Sequence, residues 1–141
     1  MQEEKHEEAL KEVEKTIEDA LKGDILDYQR RLMSMISLGV QHSIELYFHK
    51  LRIIKPGAYV KHEWFKMGDR NARLKLSAVV TKNLEEIPDI TEILSIARGI
   101  ESDRNEIVYG APLKDDEILR SKIDQFLEIK KLTKGEENEQ V

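Results

Sequence analysis

The stretch "LMSMISLGVQHSIELYFHK", residues 32–50, decides the fold. Its apolar residues do not alternate as a strand requires. They recur at three and four residues, and the same stripe runs outward on both sides as Tyr28, Leu32, Met35, Ile36, Val40, Ile44, Tyr47, Phe48 and Leu51. That spacing predicts one long helix over about 25–54, apolar on one broad face, which is the central helix of a bundle.

Upstream, Ala9, Leu10, Val13, Ile17, Ala20 and Leu21 repeat the pattern and predict a helix over 3–22. Gly23 reads as its stop, and Asp24 as the N-cap of the central helix. Downstream, "KPGAYVKHEWFKMGD" breaks the period, with Pro56-Gly57 as an explicit turn. A third helix is expected over 71–84, facing inward through Leu74, Leu76, Ala78, Val80 and Leu84. Asp89 and Glu92 then read as a capping box for a fourth helix, with Ile90, Ile93, Leu94, Ala97, Ile100, Ile107 and Val108 inward. Gly110 and Pro112 stop it. A last helix over 116–132 turns Leu119, Ile123, Phe126 and Leu127 to the core. The fold class is therefore all-α, an antiparallel up-and-down bundle of four to five helices in one domain over 1–132, with a disordered polar tail over 133–141.

Composition narrows the chemistry. The 141 residues include no cysteine, which excludes thiolate chemistry and suits a reducing cytoplasm. No apolar run approaches the ~20 residues of a membrane span, so no membrane partner is expected. Charged residues make up 36%, mostly Glu and Lys, a composition that leans toward a thermophile. The net charge of −5 argues against a general nucleic-acid binder. Yet residues 49–75 hold eight Lys or Arg against Glu63 and Asp69, a local +6 that leaves −11 elsewhere. Such asymmetry marks a candidate face for an anionic ligand.

One charge falls where a bundle wants none. At 100° per residue, Arg104 lies ~20° from Ala97 and ~40° from Ile100, on the buried side of the fourth helix. A guanidinium there must pair with Glu101, Asp103 or an acid on another helix, or face a cleft or a subunit interface. Asn105 and Tyr109 share a neighbouring face.

The octet "DRNEIVYG", residues 103–110, after a helix and before a glycine-proline turn, resembles the HEPN superfamily. The long helix followed by "KPGAYVKHEWFK" adds to the likeness, which spans roughly 25–130. The resemblance implies a homodimer whose motif helices meet across a cleft. It implies a toxin-like, metal-independent endoribonuclease that needs no cofactor, with a minimal nucleotidyltransferase antitoxin as partner and RNA as substrate. Arg104 matches the family arginine that would steady charge on the phosphoryl oxygens, and Asn105 the polar residue that holds it. Tyr109 stands where the family carries histidine. With an ordinary pKa near ~10, a tyrosine is a poor base, so the site works differently, binds without cleaving, or is inactive. In the last two cases the chain is a non-catalytic homodimeric scaffold for a nucleotide, RNA or protein.

The four histidines lie elsewhere. His62, in the basic loop with Lys61, Lys66, Arg70 and Arg73, is the candidate to supply an imidazole or bind phosphate. Trp64 and Phe65 read as anchors for that loop. His6 reads as a solvated surface residue. His42 and His49, seven apart, read as surface or interface packing, too widely spaced for a pair of metal ligands on adjacent turns. No metal site is expected, and neither a phosphate-binding glycine loop nor an H-E-x-x-H motif occurs.

Overall fold

The computed structural model describes residues 3–134. Its helices are α1 (Glu3–Lys22), α2 (Gln29–Lys50), α3 (Asp69–Ser77), α4 (Ile90–Glu101), α5 (Arg104–Tyr109) and α6 (Glu117–Leu132), with short 3-10 turns at Ile25–Tyr28, His62–Lys66 and Leu84–Glu86. The chain is an all-α bundle, as the periodicity requires. Among the described residues the one β-type pairing is a single bridge between Ile54 and Val80. No helix among them is long and apolar enough to cross a membrane.

Helix α2 is the hub. It packs against α1, α5 and α6, and α4 packs against α6. Side-chain contacts fix the directions. His6 at the start of α1 meets His42 and Glu45 near the end of α2, so these two run antiparallel. Lys122 at the start of α6 meets Gly99 near the end of α4, so these two do as well. The bundle packs tightly at Gly39, where a Cβ would come within 2.5 Å of the Phe126 ring and 3.1 Å of Val13. Only glycine allows α1, α2 and α6 to meet there. The ion pair of Lys130 with Glu14 ties the far end of α6 to α1.

The boundaries move where local chemistry overrides period. Asp24 does cap, accepting from the Leu26 N–H, but it starts a 3-10 turn that hands over to α2 at Gln29. Helix α2 stops at Lys50, four residues before the expected end. Arg52 takes a left-handed conformation (φ 60°), Ile53 N–H reaches back to Phe48 O at 3.1 Å, and Arg52 N–H to His49 O at 3.0 Å. This is a Schellman stop built on arginine, with buried Ile53 as its apolar seal. The Pro56-Gly57 turn forms as expected, with Gly57 at φ 75° and Ala58 N–H on Lys55 O.

Helix α3 begins earlier than expected, at Asp69, and ends at Ser77 rather than Leu84. The β-branched run Val79-Val80-Thr81 peels away to pair with Ile53 to Lys55 through Lys55 N–H on Val79 O and Thr81 N–H on Ile53 O. Leu74 and Ala78, expected to face inward, are exposed, as are Leu21 and Leu127. The expected capping box is absent. Asp89 is left-handed at φ 62° and its side chain makes no cap bond.

The fourth helix breaks in two at Ser102-Asp103. The Gly99 carbonyl, which would carry the ladder forward, accepts instead from Lys122 Nζ at 2.5 Å and from Ser102 Oγ at 2.9 Å. Side chains inserted into the ladder in this way end or kink a helix. The tail is shorter than expected at its start: Thr133 is buried and its hydroxyl donates to Ile129 O. The rest of the expected disordered tail lies outside the described residues.

Candidate functional site

The break at Ser102-Asp103 decides where Arg104 goes. It opens α5, a separate six-residue helix, and does not continue the apolar stripe of α4. Lys122, itself buried, locks the corner by binding both Gly99 O and Asp103 Oδ2 at 3.1 Å. A lysine on the last carbonyls of a helix also sits well against its negative end. The acid expected near Arg104 therefore pairs with Lys122. Arg104 is half-buried, donates from Nη1 to Asn105 Oδ1 at 3.2 Å, and has a buried Nε without a hydrogen-bond partner among the described residues. Tyr109, at the other end of α5, stands 76% exposed. Ile107 alone of this helix is fully buried. The α5 turn is clasped from α2, with Arg30 donating to Gly110 O at 3.4 Å and Gln29 accepting from Leu113 N–H at 2.9 Å.

The other candidate residues scatter. His62 Nδ1 lies 3.2 Å from Glu101 Oε1, its Nε2 lies 3.7 Å from Glu63, and its backbone N–H donates to Gln41. Its imidazole is thus held at the end of α4 by a buried carboxylate. Phe65 is buried and Trp64 packs on the core, so both anchor the loop as expected. That loop brings Lys66 beside Arg98 around a recess of about 440 Å3, which also touches Glu101 and Ser102 just before Arg104. Arg73 is spent on Asp69, Glu85 and Thr91. Lys61 lies over the Tyr59 ring, and Arg70 is exposed. The basic residues do not form one continuous face: Lys50 and Arg52 line a separate recess of about 520 Å3 with Lys82.

A second polar centre lies where sequence reading expected none. His6 is 1% exposed, not solvated. Its Nδ1 lies 2.9 Å from His42 Nδ1, and its Nε2 touches Glu45 Oε2. Glu45 is 2% exposed and its other oxygen accepts from the Val60 N–H at 2.7 Å. His49 Nε2 lies 4.0 Å from Glu45 Oε2. Thus three of the chain's four histidines surround one carboxylate. Burial and the neighbouring His6 push the proton affinities of His42 and His49 below the ordinary imidazole value. Burial alone would raise Glu45. The His6 contact, the Val60 N–H and the His6 charge together outweigh it and hold this carboxyl below its usual range.

The signals for this centre were present in the sequence. His6 is four residues before Leu10 and continues the stripe of Leu10, Val13 and Ile17. In "HSIELYFH" Glu45 stands three after His42 and four before His49, one helix face carrying all three. Glu101 likewise follows Ala97 by four.

The described residues form a helical bundle with an enclosed His-Glu cluster at the α1–α2 seam and an arginine-amide pair on α5. In comparisons with known proteins, the chain matches no family, no curated protein and no solved structure.

Proposed function

We propose that this chain is a HEPN-like homodimeric protein whose α5 face binds RNA or a nucleotide phosphate in a cleft shared by two copies. The observation that carries the reading is the Arg104–Asn105 hydrogen bond at the start of an exposed short helix. An amide oxygen holds the guanidinium without neutralising it, and the acid beside it is taken by Lys122. Such an arginine keeps its charge and its planar donors for a phosphate. Lys66 and Arg98 add positive charge around the recess that ends at Ser102, two residues before Arg104.

Binding is favoured over cleavage. Transfer of the 2'-hydroxyl proton needs a base, and the motif position holds a solvated tyrosine. The imidazole of His62 is engaged by Glu101. The resemblance extends the proposal to a nucleotidyltransferase-type partner protein.

The test uses purified full-length chain and its Arg104→Ala variant, with structured and single-stranded RNA. Light scattering should give a dimer. Fluorescence anisotropy should show RNA binding that weakens about tenfold or more in Arg104→Ala, the worth of one charge-assisted hydrogen bond or more. A monomer, or equal binding by both proteins, would overturn the reading. Cleavage by the wild type that Arg104→Ala abolishes would make the protein the endoribonuclease that the motif implies.

A further inference from the structure

We propose that His6, Glu45 and His49 form a binding site for a divalent transition-metal ion of the zinc class, with His42 as the outer partner that orients His6. The donor atoms are two imidazole nitrogens and one carboxylate oxygen, and they lie within 4.8 Å of one another. Two nitrogens and one oxygen suit zinc and its first-row neighbours, whereas magnesium and calcium want oxygen alone. Bonds near 2.0–2.2 Å at tetrahedral angles place ligand atoms about 3.3 Å apart. His49 Nε2 must close in from 4.0 Å, and the His6–Glu45 contact must open slightly to admit the ion. Both are side-chain adjustments, and the backbones need not move.

Three further observations point to an ion. First, His49 Nε2 is buried and has no hydrogen-bond partner among the described residues. It lies 4.0 Å from the same Glu45 oxygen that His6 touches. Second, the two fully buried ligands already have the outer partners a metal ligand needs. The second nitrogen of His6 is engaged by His42, and the second oxygen of Glu45 by the Val60 N–H. Such partners fix the ring orientation and leave the inner atom for the ion. Third, there is an entry path. His49 lines a recess of about 440 Å3 together with Glu3 and residues 54–58.

The ion would join three segments. His6 comes from α1, Glu45 and His49 from α2, and Val60 from the loop that carries the Pro56-Gly57 turn. An ion bound only by the folded chain stabilises it in proportion to its affinity and concentration. The reading is independent of the RNA proposal, because none of these residues belongs to the α5 face.

The experiment uses full-length protein stripped with a chelator and desalted. Metal content after incubation with zinc, melting temperature with zinc, cobalt(II) or magnesium, and the visible spectrum of the cobalt form are the readouts. The expected result is one equivalent of zinc per chain, a higher melting temperature with zinc and cobalt but not magnesium, and d–d bands of a cobalt ion with fewer than six ligands. His49→Ala should weaken zinc binding beyond about 100-fold, and His42→Ala about 10- to 100-fold, as loss of an outer partner does. His62→Ala, which removes the one histidine outside the cluster, should leave affinity unchanged. His49→Gln replaces His49→Ala should the latter not fold. Failure to take up zinc, a cobalt spectrum matching the free aqua ion, or undiminished affinity in the folded His49 variant would overturn the proposal.

Discussion

The α1–α2 seam and the α5 surface each hold a grouping of polar side chains, and they are built in opposite ways. At the seam the central groups are enclosed and find partners within the chain: His6 takes His42 and Glu45, and Glu45 takes Val60. At α5 Arg104 meets one neighbouring amide and Tyr109 stands in solvent. Removing water from a charge makes its environment part of the fold. Leaving it partly exposed, as at Arg104, keeps its outer donors available to another molecule. The seam is therefore where substitutions should cost stability, and the α5 surface is where they should cost binding.

The sharpest way to break this contrast is Glu45→Ala. It removes the acceptor shared by His6 and the Val60 N–H and leaves both buried. Breaking one partner out of such a site costs about 3–5 kcal/mol. Urea unfolding in the presence of chelator should show this as a lower midpoint. A loss below about 1 kcal/mol would mean that the seam is not enclosed as described.

Next in size is Gly39→Ala. The new methyl would meet the Phe126 ring of α6 at 2.5 Å and Val13 of α1 at 3.1 Å. Alanine gains helix propensity over glycine, yet overpacking at such a site costs about 1–3 kcal/mol, so the net effect should be destabilising. A stabilised Gly39→Ala protein in the same urea experiment would show that α6 can move away from α2 freely.

The contrast also explains what could be read in advance. Long apolar stripes were legible because burial of one helix face is enforced many times over. The stripe of α2 holds from Leu32 to Phe48, with Leu32, Ile36, Val40, Ile44 and Phe48 all buried. Helix ends were less legible, because one tertiary contact can override them. Lys122 breaks the fourth helix by taking the Gly99 carbonyl, and nothing within residues 89–110 announces a lysine that comes from α6. Val79 to Thr81 leave α3 for a pairing with a loop some 25 residues away. Arg104 and Asn105 were found as a pair because they are adjacent in sequence. The seam was missed because its members come from two helices, and because His6 sits among glutamates that suggest a solvated face. Its position four residues before Leu10 was the better guide.

Acidification should separate the two regions more gently. His42 and His49 have folded-state proton affinities below the ordinary imidazole value, so the unfolded chain binds their protons more readily. The stability they contribute is fully present above about pH 6.5 and declines as pH falls below it. Glu45 is depressed as well, so its contribution is present above about pH 4.5 and is lost below. Both act in the same direction. Chelated wild type should lose stability in two steps on acidification, and the first step should shrink in His49→Gln. An unchanged first step would assign it to groups outside the seam.

The smallest expected change in stability is at the α5 surface. Arg104→Ala removes one hydrogen bond to an exposed amide and leaves the corner held by Lys122, Gly99 and Asp103. Stability should stay within about 0.5 kcal/mol of wild type, as for most surface substitutions. Tyr109→His should be as mild, because its side chain is mostly in solvent. Their value lies in function. If Tyr109→His gains RNA cleavage that the added Arg104→Ala change removes, then Arg104 and Asn105 already hold a phosphate in place, and the tyrosine is what keeps the bound RNA intact. If Arg104→Ala instead unfolds the protein, the half-buried guanidinium belongs to the fold, as Glu45 does, and the division between an enclosed seam and an open α5 surface fails.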